Sequence, residues 1–463
     1  MRVLYFYRVP LPDARADAIQ IVNTCAGMAH AGAQVSLHVE SLGPGGTQEA
    51  LAFYGVAPPA ASGSFDIAAL GRHWSWPFFG IKLGRILKSA RAGDTILFVR
   101  EVRPYVPGLI RKAKAAGCRV LFEAHNVSAS LVAEKAAKAA PGPRSFSMID
   151  QEGRTSLKIV GEPAGHDHHD HEGHDHHDDE HHEEPAPIPV NADPTPAPPP
   201  APHPADSPEA RELKRRAAER AALEKEIIES SDGIICTQRA TLDGLRHLFR
   251  PGFPAIVLGN GTQIHDAAPG GARDLDILYC GSLKPWKGVD MLVAAMQTLY
   301  PWTLTIVGPQ TKEDVARLQQ AALTIGALER VKILPSMKPT EVWKLYARAK
   351  VGVIPLPGSE YIEARVFTSP LKLFEMMAAG LPVVASRLPS ILEYVADGRD
   401  ALLVMPDVPR ALAEGIRRVL TEPALARSLS EAGRARAAEY SWDRRGAKLV
   451  EFARQVLTSR APS

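Results

Sequence analysis

Lys372 and Glu375 are charges set inside an otherwise apolar segment, Ser369 to Ser386, SPLKLFEMMAAGLPVVAS. By residue type this segment is a helix start, a helix, a glycine stop and a strand. The Ser369 hydroxyl can cap free N–H groups of a first helical turn. Pro370 fits the first helical position, where its missing donor costs nothing. Gly380 ends the helix, and Pro382 to Ala385 reads as a short buried strand. Spaced three apart, Lys372 and Glu375 share a face, and side chains lean toward the helix N-terminus. Free amides there form an anion site. A carboxylate one turn behind can accept from a sugar's hydroxyl pair. Phosphate beside sugar points to a nucleotide-sugar. The plainer alternative is a surface ion pair worth a few tenths of a kcal/mol.

A second stretch has matching chemistry. In Tyr279 to Gly288, YCGSLKPWKG, a strand ends at Gly281, turns through Ser282 and enters a helix. Backbone amides, Lys284 and Lys287 converge there, which suits a diphosphate. Gly281 permits close backbone approach. The competing reading makes Lys287 a solvated lysine at a helix start.

The surrounding elements must place both stretches at one end of one sheet. From 1 to 130, short apolar runs (Arg2–Tyr7, Gln34–Val39, Thr95–Val99, Arg119–Glu123) alternate with helical patterns (Ala16–Ala31, Val106–Ala116). Such alternation predicts a parallel sheet with helices on both faces. It resumes at Gly233–Thr237 and Ala255–Leu258, and a second α/β unit follows a linker at 266–274. The expected fold is α/β: two Rossmann-like, doubly wound domains facing across a cleft. The first covers 1–140 and 207–265, interrupted by an insertion at 141–206. The second covers 266–440, and a C-terminal helix at 441–463 is expected to cross back to the first. Ligands of such sheets sit beyond the carboxyl ends of the strands.

The segments GSLKPWKG, SPLKLFEMMAAGLPVVAS and LGNGT together resemble the retaining GT-B glycosyltransferases of the family-four type, the glycosyl transferases group 1. The resemblance covers both domains and implies transfer of a sugar from a UDP- or GDP-linked donor with no required cofactor or metal. It implies that Lys287 binds donor phosphates and that Glu375 holds the ribose. It places His125, after the strand Arg119–Glu123, near the transferred sugar, whereas a lone histidine in that position also fits simple packing. Three positions depart from the pattern. Ser282 replaces an arginine, leaving Lys284 to supply a second charge. Phe367 replaces the first glutamate of a paired motif, with Glu360 or Glu363 as substitutes. Pro12 to Ala18 replaces a Gly-Gly loop. Donor-sugar identity is therefore open.

Composition narrows the remaining classes. The chain has 463 residues and a net charge of +2. Residues 162–184 hold ten acidic and no basic residues, so the rest carries a net charge near +12. A basic body fits an anionic ligand or membrane surface; with no nucleic-acid module in sight, nucleic acid is not an expected partner. Cys25, Cys118, Cys236 and Cys280 are scattered and read as buried thiols. Residues 71–92 interleave Trp74, Trp76, Phe78, Phe79 and Ile81 with Arg72, Lys82, Arg85, Lys88 and Arg91. That pattern fits a peripheral membrane contact or an ordinary helix packed on the sheet. Arg2–Tyr7 reads as a strand instead of a secretory segment, and no apolar run approaches the roughly 18 residues of a spanning helix. A cytoplasmic protein, associated with the inner membrane face if 71–92 docks there, is expected.

The insertion cannot build a core: His166 to Glu184 is nearly all His, Asp, Glu and Gly, and 185–204 is rich in Pro and Ala. It is expected to be disordered. His166, His168, His169, His171, His174, His176 and His177 fit loose, adventitious Zn or Ni binding. The leading expectation is a glycosyltransferase acting on a glycan or lipid-linked acceptor in polysaccharide biosynthesis. The alternatives are a nucleotide-sugar epimerase and a metal-binding or sensing protein on a degenerate scaffold.

Overall fold

The computed structural model describes residues 1–59, 63–71, 78–88, 90, 93–125, 208–248, 253–265, 272–308, 311–358 and 369–459. One compact unit comprises 1–135 and 220–463 and contains both sheets; a second comprises 136–219, of which 208–219 is described, as the start of a helix.

The first sheet is seven-stranded, in the order β3-β2-β1-β4-β5-β6-β7. Its strands are β1 (Arg2–Leu11), β2 (Gln34–Leu42), β3 (Ser64–Ala69), β4 (Thr95–Val99), β5 (Arg119–Ala124), β6 (Gly233–Cys236) and β7 (Ala255–Val257). The connecting helices are α1 (Ala16–His30), α2 (Gly46–Tyr54), α3 (Phe78–Leu87), α4 (Val106–Ala115), α5 (Pro208–Glu229) and α6 (Arg239–Leu248). The second sheet is six-stranded, β10-β9-β8-β11-β12-β13. Its strands are β8 (Leu275–Cys280), β9 (Leu304–Val307), β10 (Val331–Leu334), β11 (Ala349–Ile354), β12 (Val383–Ser386) and β13 (Leu402–Val404). Around them lie α7 (Val289–Ala295), α8 (Lys312–Thr324), α9 (Pro339–Arg348), α10 (Leu371–Ala378), α11 (Pro389–Leu392), α12 (Pro409–Thr421) and α13 (Pro423–Ala437), followed by α14 (Trp442–Thr458).

Every ladder is parallel. Parallel sheets are covered on both faces, which is why β4 and β12 are buried along their whole length. Strand order reverses between β1 and β4 in one sheet and between β8 and β11 in the other. These switch points, beyond the carboxyl ends of the strands, are where such sheets bind ligands.

The last helix belongs to the first core. Leu449, Val450, Phe452, Ala453 and Val456 of α14 pack with β1 and α1. The helices cross at glycines: a Cβ on Gly27 would lie 2.3 Å from the Trp442 carbonyl oxygen, and one on Gly446 would lie 2.0 Å from the Gly27 carbonyl carbon. Among the described residues no helix is long and apolar enough to cross a membrane. Ile81 of α3 is exposed, and Lys82 bonds the Leu70 carbonyl. Trp74, Trp76 and the side chains of Phe78 and Phe79 fall outside the described residues.

His38 on β2 is buried against the Phe6 ring at 4.8 Å, and neither ring nitrogen has a hydrogen-bond partner among the described residues. Burial, reinforced by the Arg2 charge, lowers its pKa from 6.5 to about 4. The folded protein therefore refuses a proton that the unfolded chain accepts. The stability that depends on neutral His38 is whole above pH 6.5 and is lost as pH falls toward 4. The loss reaches up to about 3 kcal/mol. Thermal unfolding across this range checks it: His38→Phe, which keeps the ring stack, flattens the acid slope, and an unchanged slope refutes the assignment.

Candidate active site

At the switch point of the second sheet, Gly281 follows β8 and the chain turns through Ser282 to Lys287. Tyr279 donates its hydroxyl to the Ser282 carbonyl at 2.8 Å, and a Cβ on Gly281 would lie 2.8 Å from that hydroxyl oxygen. The glycine is thus required by Tyr279 as well as leaving the backbone open. Gly288, at φ 72°, sits where a Cβ would be 1.6 Å from the Pro355 carbonyl oxygen, so the turn is pressed onto the end of β11. Any side chain there would force the two strand ends apart.

The two lysines of this turn differ. Lys284 donates to Asp314 Oδ2 at 3.1 Å. Asp314 also closes a capping box with Thr311 at the start of α8. The charge of Lys284 is therefore already matched. Lys287 is half-buried, its side chain makes no hydrogen bond or ion pair among the described residues, and burial lowers its pKa. It is the unmatched cation of the turn.

The N-terminus of α10 is open. Ser369 does not cap it, contrary to the sequence expectation: Pro370 occupies the cap position, and no side chain bonds the first turn. The reason is tertiary. The Ser369 hydroxyl accepts from the Asn260 amide at 2.9 Å, and its carbonyl accepts from Asn260 Nδ2 at 2.6 Å. Asn260 lies in the LGNGT turn after β7, so this contact joins the two domains. The Leu371 and Lys372 amides are left without a side-chain cap.

Glu375 is not a surface ion-pair partner. Its Oε2 accepts from Lys372 Nζ at 2.8 Å and from the Tyr346 hydroxyl at 2.9 Å, and its side chain is 16% exposed. Burial works against the Lys372 charge, but the Glu375 carboxylate raises its pKa overall. Cys280, ending β8, lies against this pair; its pKa is pushed up to about 12 by burial, with Lys372 opposing and Glu375 adding. The carboxylate is thus fixed in orientation beside the glycine turn, with both bonds on one oxygen.

At the switch point of the first sheet a pocket of about 370 Å³ is lined by Tyr7, Asp17, Arg100, Glu101, Arg103, His125, Arg220 and Glu224, among others. Burial, aided by the nearby Arg100 charge, lowers the pKa of His125 to about 3, so its imidazole is neutral; Nε2 has no hydrogen-bond partner among the described residues. Glu123 Oε1 lies 3.8 Å from that nitrogen. The same oxygen accepts from Gln20 Nε2 at 2.7 Å and from Arg445 Nη2 at 2.5 Å. Arg445, on α14, also donates to the Gly259 carbonyl at 3.0 Å and to Thr24 Oγ1 at 3.0 Å. Burial alone would raise the Glu123 pKa; the Arg445 charge, with help from Arg100 and the Gln20 hydrogen bond, brings it below its ordinary value. Neither Glu123 nor Arg445 was expected from sequence. The one signal was an isolated acid ending a strand otherwise buried throughout.

Phe367, Glu360, Glu363 and the histidines from His166 to His177 lie outside the described residues. Among the described residues no three His, Cys, Asp or Glu side chains converge as a metal site.

Residues 274–422 match the family model described as glycosyl transferases group 1. The match spans the glycine turn, both lysines, α10 and Glu375. The chain is 32% identical over 234 residues to a glycogen synthase of Mycobacterium tuberculosis, covering 48% of this chain and 53% of the relative. It thus spans about half the length of that relative. A sucrose-phosphate synthase from Thermosynechococcus elongatus superposes with a TM-score of 0.61 at 17% identity, covering 98% of this chain and 99% of the other. Anabaena HepE in complex with UDP and glucose superposes at 0.57 and 13% identity, covering 97% and 98%. At these identities the likeness establishes the fold, which is GT-B.

Proposed function

We propose that the protein is a glycosyltransferase that moves a sugar from a UDP- or GDP-linked donor to a glycan or lipid-linked acceptor, with retention, in cell-surface polysaccharide assembly. The observation that carries the reading is the unmatched Lys287 in the turn after β8 together with the uncapped N-terminus of α10, the helix that follows β11, β8 and β11 being the two strands of the switch point. Negative charge develops on the leaving diphosphate. A half-buried ammonium and preorganised amides stabilise it without reorganising at the moment of reaction. In this reading Gly281 and Ser282 border the diphosphate, Lys287 and the amides of Leu371 and Lys372 hold it, and Glu375 accepts from the ribose through the oxygen that Tyr346 and Lys372 leave open. Lys284 acts indirectly by fixing the turn to Asp314. His125 meets the transferred sugar as a neutral imidazole. These groups supply the positive charge the leaving group needs, so no metal or cofactor enters the reading. The UDP bound to HepE, a protein of the same fold, supports the donor class.

The experiment is to incubate the protein with UDP- and GDP-sugars and follow products by NMR. Released nucleotide with a sugar product in the donor's anomeric configuration is expected. An inverted anomer would remove retention. A sugar epimerised while still linked to nucleotide would replace transfer by epimerisation.

A further inference from the structure

The pocket at the switch point of the first sheet has an excess of unfilled donors. The side chains of Arg103 and Arg220 make no hydrogen bond or ion pair among the described residues, and both residues are exposed and line the pocket. Arg100 spends one N–H on the Asp17 carbonyl at 3.3 Å. The acids lining the same pocket are already occupied. Asp17 accepts from the Tyr7 hydroxyl and from the Ala18 amide. Glu101 accepts from the Tyr105 hydroxyl. Glu123 is buried and neutralised by Arg445. Glu224 is buried and engaged. The accessible charges are therefore three guanidinium groups facing two carboxylates, each of which already holds a tyrosine. His125 Nε2, buried and without a hydrogen-bond partner among the described residues, lines the same space.

A neutral sugar would leave most of these donors unfilled, because each hydroxyl offers few acceptor sites. A phosphate fills several at once, since the planar guanidinium matches it bidentately. The exposed arginines and the His125 imidazole just after β5 line one pocket, so a ligand whose phosphate meets the arginines can turn a hydroxyl toward the histidine.

We propose that this pocket binds an acceptor carrying a phosphate group, held by Arg100, Arg103 and Arg220, with the hydroxyl to be glycosylated toward His125. This rests on the glycosyltransferase reading and names the acceptor class within it. The phosphate could belong to a soluble sugar phosphate or to a phospholipid headgroup.

The test titrates inorganic phosphate into the full chain by calorimetry, with and without saturating UDP and GDP to block the donor site. Glucose 6-phosphate with glucose as control, and phosphatidylinositol vesicles with phosphatidylcholine as control, form the further arms. Phosphate is expected to bind in the presence of nucleotide and to weaken about tenfold or more in Arg103→Ala/Arg220→Ala, with nucleotide affinity unchanged. Both side chains are exposed, so the variant folds. A gain for glucose 6-phosphate assigns a soluble acceptor, and a gain for the inositol lipid assigns a headgroup. Phosphate affinity that is absent, or indifferent to both substitutions, overturns the inference. If neither nucleotide binds, the glycosyltransferase reading falls separately.

Discussion

Arg445→Ala is expected to lose about 3–5 kcal/mol of stability, because it leaves the Glu123 carboxylate buried and uncompensated. Glu123 is 1% exposed, and Arg445 is its cationic partner at 2.5 Å. The same substitution strips donors from the Gly259 carbonyl and Thr24. Arg445→Lys rescues only part, since one ammonium cannot reach acceptors on three segments. Arg445→Met/Glu123→Gln recovers most of the loss, because no buried charge remains. The pH dependence has a definite sign. The folded pKa of Glu123 is lowered, so its contribution is present above the ordinary carboxylate pKa and lost as pH falls through the folded value. The gap between wild type and Arg445→Ala therefore narrows on acidification. Urea unfolding at pH 7.5 and pH 4 checks both statements; a variant within 1 kcal/mol (roughly the surface-mutation range) of wild type at pH 7.5 would refute them.

Lys287→Ala is expected to reduce kcat/KM for sugar transfer by about 10²–10³, the loss typical of one preorganised donor to a developing oxyanion. Its stability should stay level or rise, because Lys287 has no partner among the described residues and burial disfavours its charge. Loss of activity without loss of stability is the signature of a group strained for function. Lys284→Ala gives the reverse: it frees Asp314 from its ion pair, costing stability with a smaller loss of turnover. Parallel kinetics and unfolding curves separate the two lysines, and equal effects at both would contradict the distinction.

Much of the fold was legible because buried parallel strands are continuous apolar runs: Thr95–Val99 has the expected bounds, and strands open at Gln34, Arg119 and Gly233 as expected. The stretch holding α2 and β3 was not read. β3 is an edge strand with alternating exposure and an aspartate, and α2 is only nine residues long. The site was legible where it is local, in the glycine turn and the helix of Glu375. It was illegible where partners are distant. Nothing near Ser369 reveals that Asn260 takes its hydroxyl, and nothing near Lys284 reveals Asp314. Glu123 meets an arginine 322 residues away. Local rules gave the helix N-terminus a cap, and tertiary contact removed it; the open amides are what make the site available to an anion.

Calorimetric titration of UDP and GDP into wild type, Lys287→Ala and Glu375→Gln tests the central claim most directly. One nucleotide should bind the wild type, and each substitution should weaken it by about tenfold or more, through loss of a charge-assisted hydrogen bond to phosphate or ribose. Failure of both nucleotides to bind, or wild-type affinity in both variants, would contradict a donor site at Gly281–Lys287 and α10.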